Sequence, residues 1–316
     1  MPKPIGHSSR YNPAIDGIRT LAVLAVIFYH MKLAWMPGGL LGVAVFFTIS
    51  GFLITGNLMR SWYRHGNLGL KTFWLRRLRR LMPAVILVVL VVWALTPFLA
   101  ANKWADYRFG GLTAIFYVNN WASIVYGDSY FDQFEASPLE HMWSLSVEEQ
   151  FYVFWPLVLF LFLVLARGRK ATVVALTMVL AAASFGWMAY AHSLGYEATR
   201  IYEGTDTRAG SLLIGAVLAM LVTRRSAENG EETTSGRLFA EIAGLAGVAV
   251  VVGMMLRTDD NASYLYTYGL VLVGIASAGL LYGVSHQRTL VGRFLGSHQL
   301  PGWGSVATRF ICGTCR

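Results

Sequence analysis

Eight apolar runs, each long enough to cross a bilayer, constrain this chain more than any motif in it. They lie at about 14–35, 39–61, 82–101, 141–165, 171–191, 208–223, 238–256 and 264–285. A helix of about 20 apolar residues matches the thickness of the hydrocarbon core. Inside that core only helices and closed barrels satisfy every backbone polar group. Composition agrees, with 55% hydrophobic and 14% charged residues in 316 and a mean hydropathy of +0.51. A soluble domain carries about a quarter charged residues. The expected fold class is all-α, a polytopic transmembrane helical bundle.

Basic residues set the expected orientation. The stretch "RSWYRHGNLGLKTFWLRRLRR" (60–80) reads as a strongly positive loop, and "RGRK" (167–170), "RR" (224–225) and the stretch with Arg288 and Arg293 are further basic connections. Placing them in the cytoplasm also puts the N-terminus there, and no nucleic-acid partner is needed to explain the net charge of +9. The third run then ends outside and the 141–165 run starts outside. A shorter stretch at 109–127, with Asn119 and Asn120, has no room to cross. It is expected to be re-entrant or interfacial, which suits its asparagines if protein buries them. Eight crossings plus this piece fit better than nine. The first run holds Arg19 and His30 and lacks a small-residue cleavage site, so it reads as a span and not as a signal peptide. The connection "SAENGEETTSG" (226–236) reads as a solvated loop.

Arg19 and His30 are the first candidate functional pair. Eleven residues separate them, which places both within about 20° of one helix face and roughly 16 Å apart along the axis. Arginine near a boundary also snorkels toward headgroups, but an imidazole in the outer third of a membrane is suited to proton exchange. A general base needs an orienting partner. Glu148 and Glu149, side by side in "HMWSLSVEEQFYVFWPL" (141–157), lie about 10–12 Å below the outer surface, a depth similar to that of His30. Either carboxylate would serve, and two in one span are costly without a task.

Arg76, Arg77, Arg79 and Arg80 form "RRLRR". Taken alone they read as a juxtamembrane anchor. Guanidinium groups also match phosphate geometry, and these lie at the cytoplasmic end beneath the Arg19–His30 face. A ligand with phosphates inside and a reactive end reaching upward suits that layout, and acyl-coenzyme A has this shape.

The blocks "AIDGIRTLAVLAVIFYH", "GGLLGVAVFFTISGFLIT", "FWLRRLRRLMPA", "HMWSLSVEEQFYVFWP" and "YEGTDTRAGSLLIGAVLA" together resemble the acyltransferase-3 family of integral membrane acyltransferases. They look most like the transmembrane part of OatA-type peptidoglycan O-acetyltransferases. The resemblance implies a multi-pass protein of the bacterial plasma membrane. It would carry an acyl group, usually acetyl, from cytoplasmic acyl-CoA to an extracytoplasmic carbohydrate such as peptidoglycan or another surface polysaccharide. It implies functional roles for Arg19 and His30 and for Glu149 or its neighbour Glu148, and it makes Tyr202 a candidate acyl relay on the outer side. No permanently bound cofactor and no metal are expected. The lipid bilayer, the acyl-CoA, the carbohydrate and a separate extracytoplasmic esterase-like partner are the implied partners.

Two departures stand out. The second-span block of relatives reads Gly-Val-Asp, whereas here Ala44 stands in the acid's place. After "VGRFLG" relatives continue into a further helix, while this chain runs "SHQLPGWGSVATRFICGTCR". The expectation is a transmembrane domain over 1–295, incomplete at its C-terminal end, followed by an atypical, disordered tail over 296–316. Cys312 and Cys315 have CxxC spacing but lack the further ligands of a zinc site. Two rival readings are a catalytically inactive remnant and a non-enzymatic proton or solute carrier, since buried His, Glu and Arg also build proton relays.

Overall fold

The computed structural model describes residues 12–126, 137–223, 234–259, 262–286 and 289–296. The described residues form α1 (Pro13–His30), α2 (Gly42–His65), α3 (Leu70–Leu99), α4 (Trp104–Ile115), α5 (Asn119–Tyr126) and α6 (Met142–Leu165). They continue through α7 (Lys170–Ser193), α8 (Ala198–Glu203), α9 (Thr205–Thr223), α10 (Thr234–Arg257), α11 (Leu270–Ser285) and α12 (Leu290–Leu295), with no strand among them. Cys312, Cys315 and the rest of 297–316 lie outside the described residues, as does most of the 226–236 connection.

Eight helical units are long and apolar enough to cross a membrane. They are α1, α2 with a preceding 3-10 turn, α3, α6, α7, α8 with α9, α10, and α11 with a preceding π-turn at Leu265–Gly269. The chain is a polytopic all-α membrane bundle, as its apolar runs require.

Contacts sort the helix termini into two ends. At one end Asn12 Nδ2 donates to the Val284 carbonyl at 2.9 Å and Lys170 Nζ to the Leu221 carbonyl at 3.3 Å. This end carries Arg64, Lys71, Arg76, Arg169 and Lys170, and we refer to it as the basic end. At the opposite end Gly38 N donates to the Met255 carbonyl at 2.9 Å, and His192 Nε2 lies 3.1 Å from Ser263 Oγ.

The piece between the third and fourth crossings is a helical hairpin. Helix α4 runs back along α3, where Trp93 Nε1 donates to the Tyr107 carbonyl at 3.0 Å. The chain reverses at Tyr117, and α5 returns until the Tyr126 ring meets Phe109 at 4.8 Å. Gln150 of α6 holds the tip, donating from Nε2 to the Tyr117 carbonyl at 2.8 Å and to Asn120 Oδ1 at 2.9 Å. Both asparagines are buried. Asn119 accepts from Thr113 Oγ1 at 3.0 Å, and Asn120 Nδ2 donates to Thr205 Oγ1 at 2.9 Å. The stretch is thus a helical hairpin and not a ninth crossing, in keeping with the re-entrant or interfacial reading.

Several boundaries differ from those expected. The 60–80 stretch is not a loop, because α2 continues to His65 and α3 begins at Leu70. Arginine is a good helix former, so a run of charge does not break the helix. Gly66, in the left-handed region at φ 67°, ends α2 instead. The first span stops at His30, and the 208–223 span starts earlier, at Ala198.

Helix α2 is the buried centre of the bundle and packs most extensively on α9. A Cβ on Gly51 would overlap the Leu212 carbonyl, and one on Gly215 the Thr48 carbonyl. Two glycines thus let these backbones touch, the usual way membrane helices pack closely. Helix α3 lies at the periphery and leaves Leu87, Leu90, Phe98 and Leu99 exposed.

Candidate functional site

His30 closes α1 at the end opposite the basic one. Its Nδ1 lies 2.8 Å from the Val26 carbonyl. A carbonyl can only accept, so Nδ1 is the donor in this bond. His30 is exposed, and its ring stands edge-on to Tyr29 at 5.4 Å. His141, immediately before α6, is its electrostatic neighbour. The crowd of groups around the helix ends, and then the His30 ring, hold His141 below the usual histidine range.

Helix α6 separates the two candidate carboxylates. Glu148 lies two turns below His141 on the same face, about 10 Å deeper. There it accepts a hydrogen bond from Ser50 Oγ of α2. Glu149 is rotated about 100° from it and faces a different cavity. The side of α6 that meets His141 and α2 therefore belongs to Glu148. The Nδ1 bond that orients His30 runs to its own helix backbone, and the Ser50 hydroxyl bonds Glu148.

Glu149 lines a cleft of about 840 Å³ between α3, the hairpin tip and α6, together with Lys71, Arg77, Tyr117, Gln150 and Tyr152. Two polar atoms at its wall, Glu149 Oε1 and Tyr117 Oη, are buried with no hydrogen-bond partner among the described residues. A buried polar group left unsatisfied costs about 1–3 kcal/mol, so these atoms suit a polar ligand. The rim is apolar and exposed, as at Leu75, Leu78, Phe116 and Phe154.

The four arginines do not all face one way: at 100° per residue Arg76, Arg79 and Arg80 fall within about 100° of one another, and Arg77 turns to one side of them. Arg77 turns inward, its guanidinium 4.1 Å from the centroid of the Tyr152 ring, and reaches the cleft. Arg76 Nε donates to the Thr72 carbonyl at 3.2 Å on an exposed face. Arg79 flanks a shallow groove on α3, and Arg80 is half-buried. At the same end Arg19 lies 3.5 Å from Asp16, one turn back on α1.

Tyr202 is placed differently from an exposed relay. It is 0% exposed, and its hydroxyl donates to the Leu40 carbonyl at 2.8 Å. The ring lies 5.1 Å from that of Trp143, and the Arg208 guanidinium sits 4.6 Å from its centroid. The oxygen is occupied in holding α8 against the turn before α2. Ala44 is also fully buried, on a helix turn occupied by Phe47, whose ring lies 5.4 Å from Arg208.

Sequence reasoning missed Arg208, Glu203, Asn120 and Gln150 as site-building groups. Arg208 and Glu203 are buried at 1% and 0% exposure around the α8–α9 break. A signal existed, because an arginine four residues into an apolar helix is a functional hypothesis by default. Gln150 Oε1 accepts from Thr205 Oγ1 at 2.6 Å, which ties α6 to that break.

The fold and these polar clusters define a class, the polytopic membrane protein with ionisable groups built into the inner faces of its helices. The family model described as "Acyltransferase domain" matches residues 12–300, and the chain belongs to that family. The protein named O-acetyltransferase OatA of Staphylococcus aureus (strain NCTC 8325 / PS 47) is 35% identical over 289 residues, covering 92% of this chain and 47% of that protein. A protein of Staphylococcus aureus (strain MSSA476) that carries the name "Putative O-acetyltransferase" is 35% identical over 312 residues, covering 96% of this chain and 51% of its own. The chain thus spans about half the length of the curated relatives it matches. No solved structure matches it.

Proposed function

We propose that this chain is the membrane part of an O-acyltransferase. It moves an acyl group, acetyl by likeness to its relatives, from acyl-CoA to a hydroxyl of an extracytoplasmic carbohydrate. The basic end faces the cytoplasm, following the excess of Lys and Arg there, and the membrane is the bacterial plasma membrane.

The observation that carries the reading is the two-sidedness of α6. On one side Glu149 faces a cleft that starts beside Lys71 and Arg77 at the basic end. On the other, Glu148 lies below His141 and His30 at the opposite end. The cationic groups suit the phosphates of coenzyme A, and Arg77, Tyr117 and Glu149 offer donors and acceptors to the amides of its arm. At the far end His30 Nε2 takes the proton from the attacking hydroxyl. The new C–O bond forms at the thioester carbonyl, the C–S bond breaks, and the thiolate leaves with the proton that His30 took. Glu148, about 10 Å below His141 on the same face of α6, favours the imidazolium through space. Tyr202 keeps the outer turn in place.

The test is acyl transfer from labelled acetyl-CoA to a polysaccharide acceptor in membranes holding the chain. Transfer by the unmodified chain and a loss of about a hundredfold or more in His30→Ala are expected. Equal rates in both would overturn the assignment. Proton flux through vesicles without any acyl transfer would favour a carrier.

A further inference from the structure

We infer that an aromatic platform at the end opposite the basic one is a binding subsite for a neutral, hydroxyl-rich glycan. The platform is built by α5, α7, the α7–α8 connection, α8 and α9. Trp187 is surrounded by Tyr190 at 6.0 Å and Tyr196 at 6.5 Å between ring centroids, and all three rings are exposed. Beside them Arg200 pairs with Asp206 through both carboxylate oxygens, at 3.0 and 2.7 Å. Trp187 Nε1 donates to Asp206 Oδ2 at 2.6 Å, and the Arg200 guanidinium lies 5.1 Å from the Trp121 ring.

This combination matches the two surfaces of a sugar. The C–H faces of a pyranose lie flat on aromatic rings, whose bodies are apolar and whose edges are polar. The hydroxyls want planar, paired donors and acceptors. A carboxylate has about four acceptor sites and a guanidinium five N–H donors. After the two mutual bonds and the Trp187 bond, Asp206 keeps acceptor capacity and Arg200 keeps N–H donors. One hydroxyl can donate to the first and accept from the second.

Interfacial Trp and Tyr also anchor membrane proteins at headgroup level. Two features favour the glycan. The Arg200–Asp206 pair is neutral as a unit, so the centre of the cluster offers no net positive charge to a lipid phosphate. Trp187 and Trp121 also meet one ion pair from separate helices, whereas an anchoring belt is spread around the perimeter. The platform adjoins the break carrying Tyr202 and Glu203, so it would hold an acceptor beside the proposed site. That placement rests on the acyltransfer reading, but binding itself does not.

The experiment titrates an N-acetylglucosamine tetramer into the chain in zwitterionic nanodiscs by calorimetry, and measures acyl transfer in parallel. Binding is expected, weakened about three- to tenfold in Trp187→Leu and Tyr196→Ala and restored in Trp187→Phe, with the acceptor KM moving likewise and kcat unchanged. Absence of binding, or binding that the variants leave unchanged, overturns the platform. Variants that alter only the dependence on anionic lipid would assign the rings to a membrane belt and also overturn it. Binding without transfer would keep the platform and overturn the acyltransfer reading, so the two failures are distinct.

Discussion

Glu148 and Glu149 are neighbours in the chain, yet they serve different sides of α6: the first accepts a hydrogen bond from Ser50 of α2, and the second lines the cleft beside Arg77. Their substitution should therefore have different signatures. Glu149→Gln keeps the shape of the cleft and removes its charge, so the KM for the acyl donor should change while the bundle stays intact. Glu148→Gln should lower kcat. Steady-state kinetics on both variants in nanodiscs checks the division, and indistinguishable effects would contradict it.

The Ser50–Glu148 bond also joins two helices. Ser50→Ala leaves the carboxylate without that donor, and bonds to charged groups contribute about 1.5–3 kcal/mol. Thermal unfolding in detergent should show a loss in that range. Glu148→Ala combined with Ser50→Ala should cost less than the sum of the single changes, because both remove the same hydrogen bond.

Close packing of α2 on α9 depends on Gly51 and Gly215. Gly51→Val would place side-chain atoms where the Leu212 backbone lies, and overpacking costs about 1–3 kcal/mol or more. Reduced yield of monodisperse protein is the expected outcome. The control is Gly253→Ala, at a glycine with open space around it, which should leave the yield unchanged.

Gln150 ties the hairpin tip, Asn120 and Thr205 together. Gln150→Leu leaves several buried partners unsatisfied, at about 1–3 kcal/mol each. Protease cleavage within 104–126 should become faster in this variant than in the unmodified chain.

His141 gives the end opposite the basic one a pH dependence. Its folded value is depressed below the ordinary histidine value of about 6.5. Below that pH the unfolded chain binds a proton that the folded chain resists, so ν_U exceeds ν_N and stability rises with pH. The melting temperature should fall as pH drops from about 6.5 toward the depressed folded value. It should be flat above about 7 as far as this group is concerned. His141→Gln should reduce the acid-side fall, which a pH series of melting curves would measure.

The eight crossings and the re-entrant piece were legible in the sequence because bilayer thickness sets the run length and unburied asparagines have no place in lipid. The candidate site residues stood out as residue types, since Arg19, His30 and the glutamate pair are expensive inside apolar helices. The run of arginines was misread as a loop, because charge marks a membrane boundary without ending a helix. Which side each polar group faces was decided by the tertiary structure alone. One residue step turns a helix by 100°, so neighbours such as Glu148 and Glu149 or Arg76 and Arg77 part company as soon as a helix docks. Docking angles depend on contacts far apart in the chain, as where Gly51 meets Leu212 and Tyr202 meets Leu40, and no local pattern carries that information.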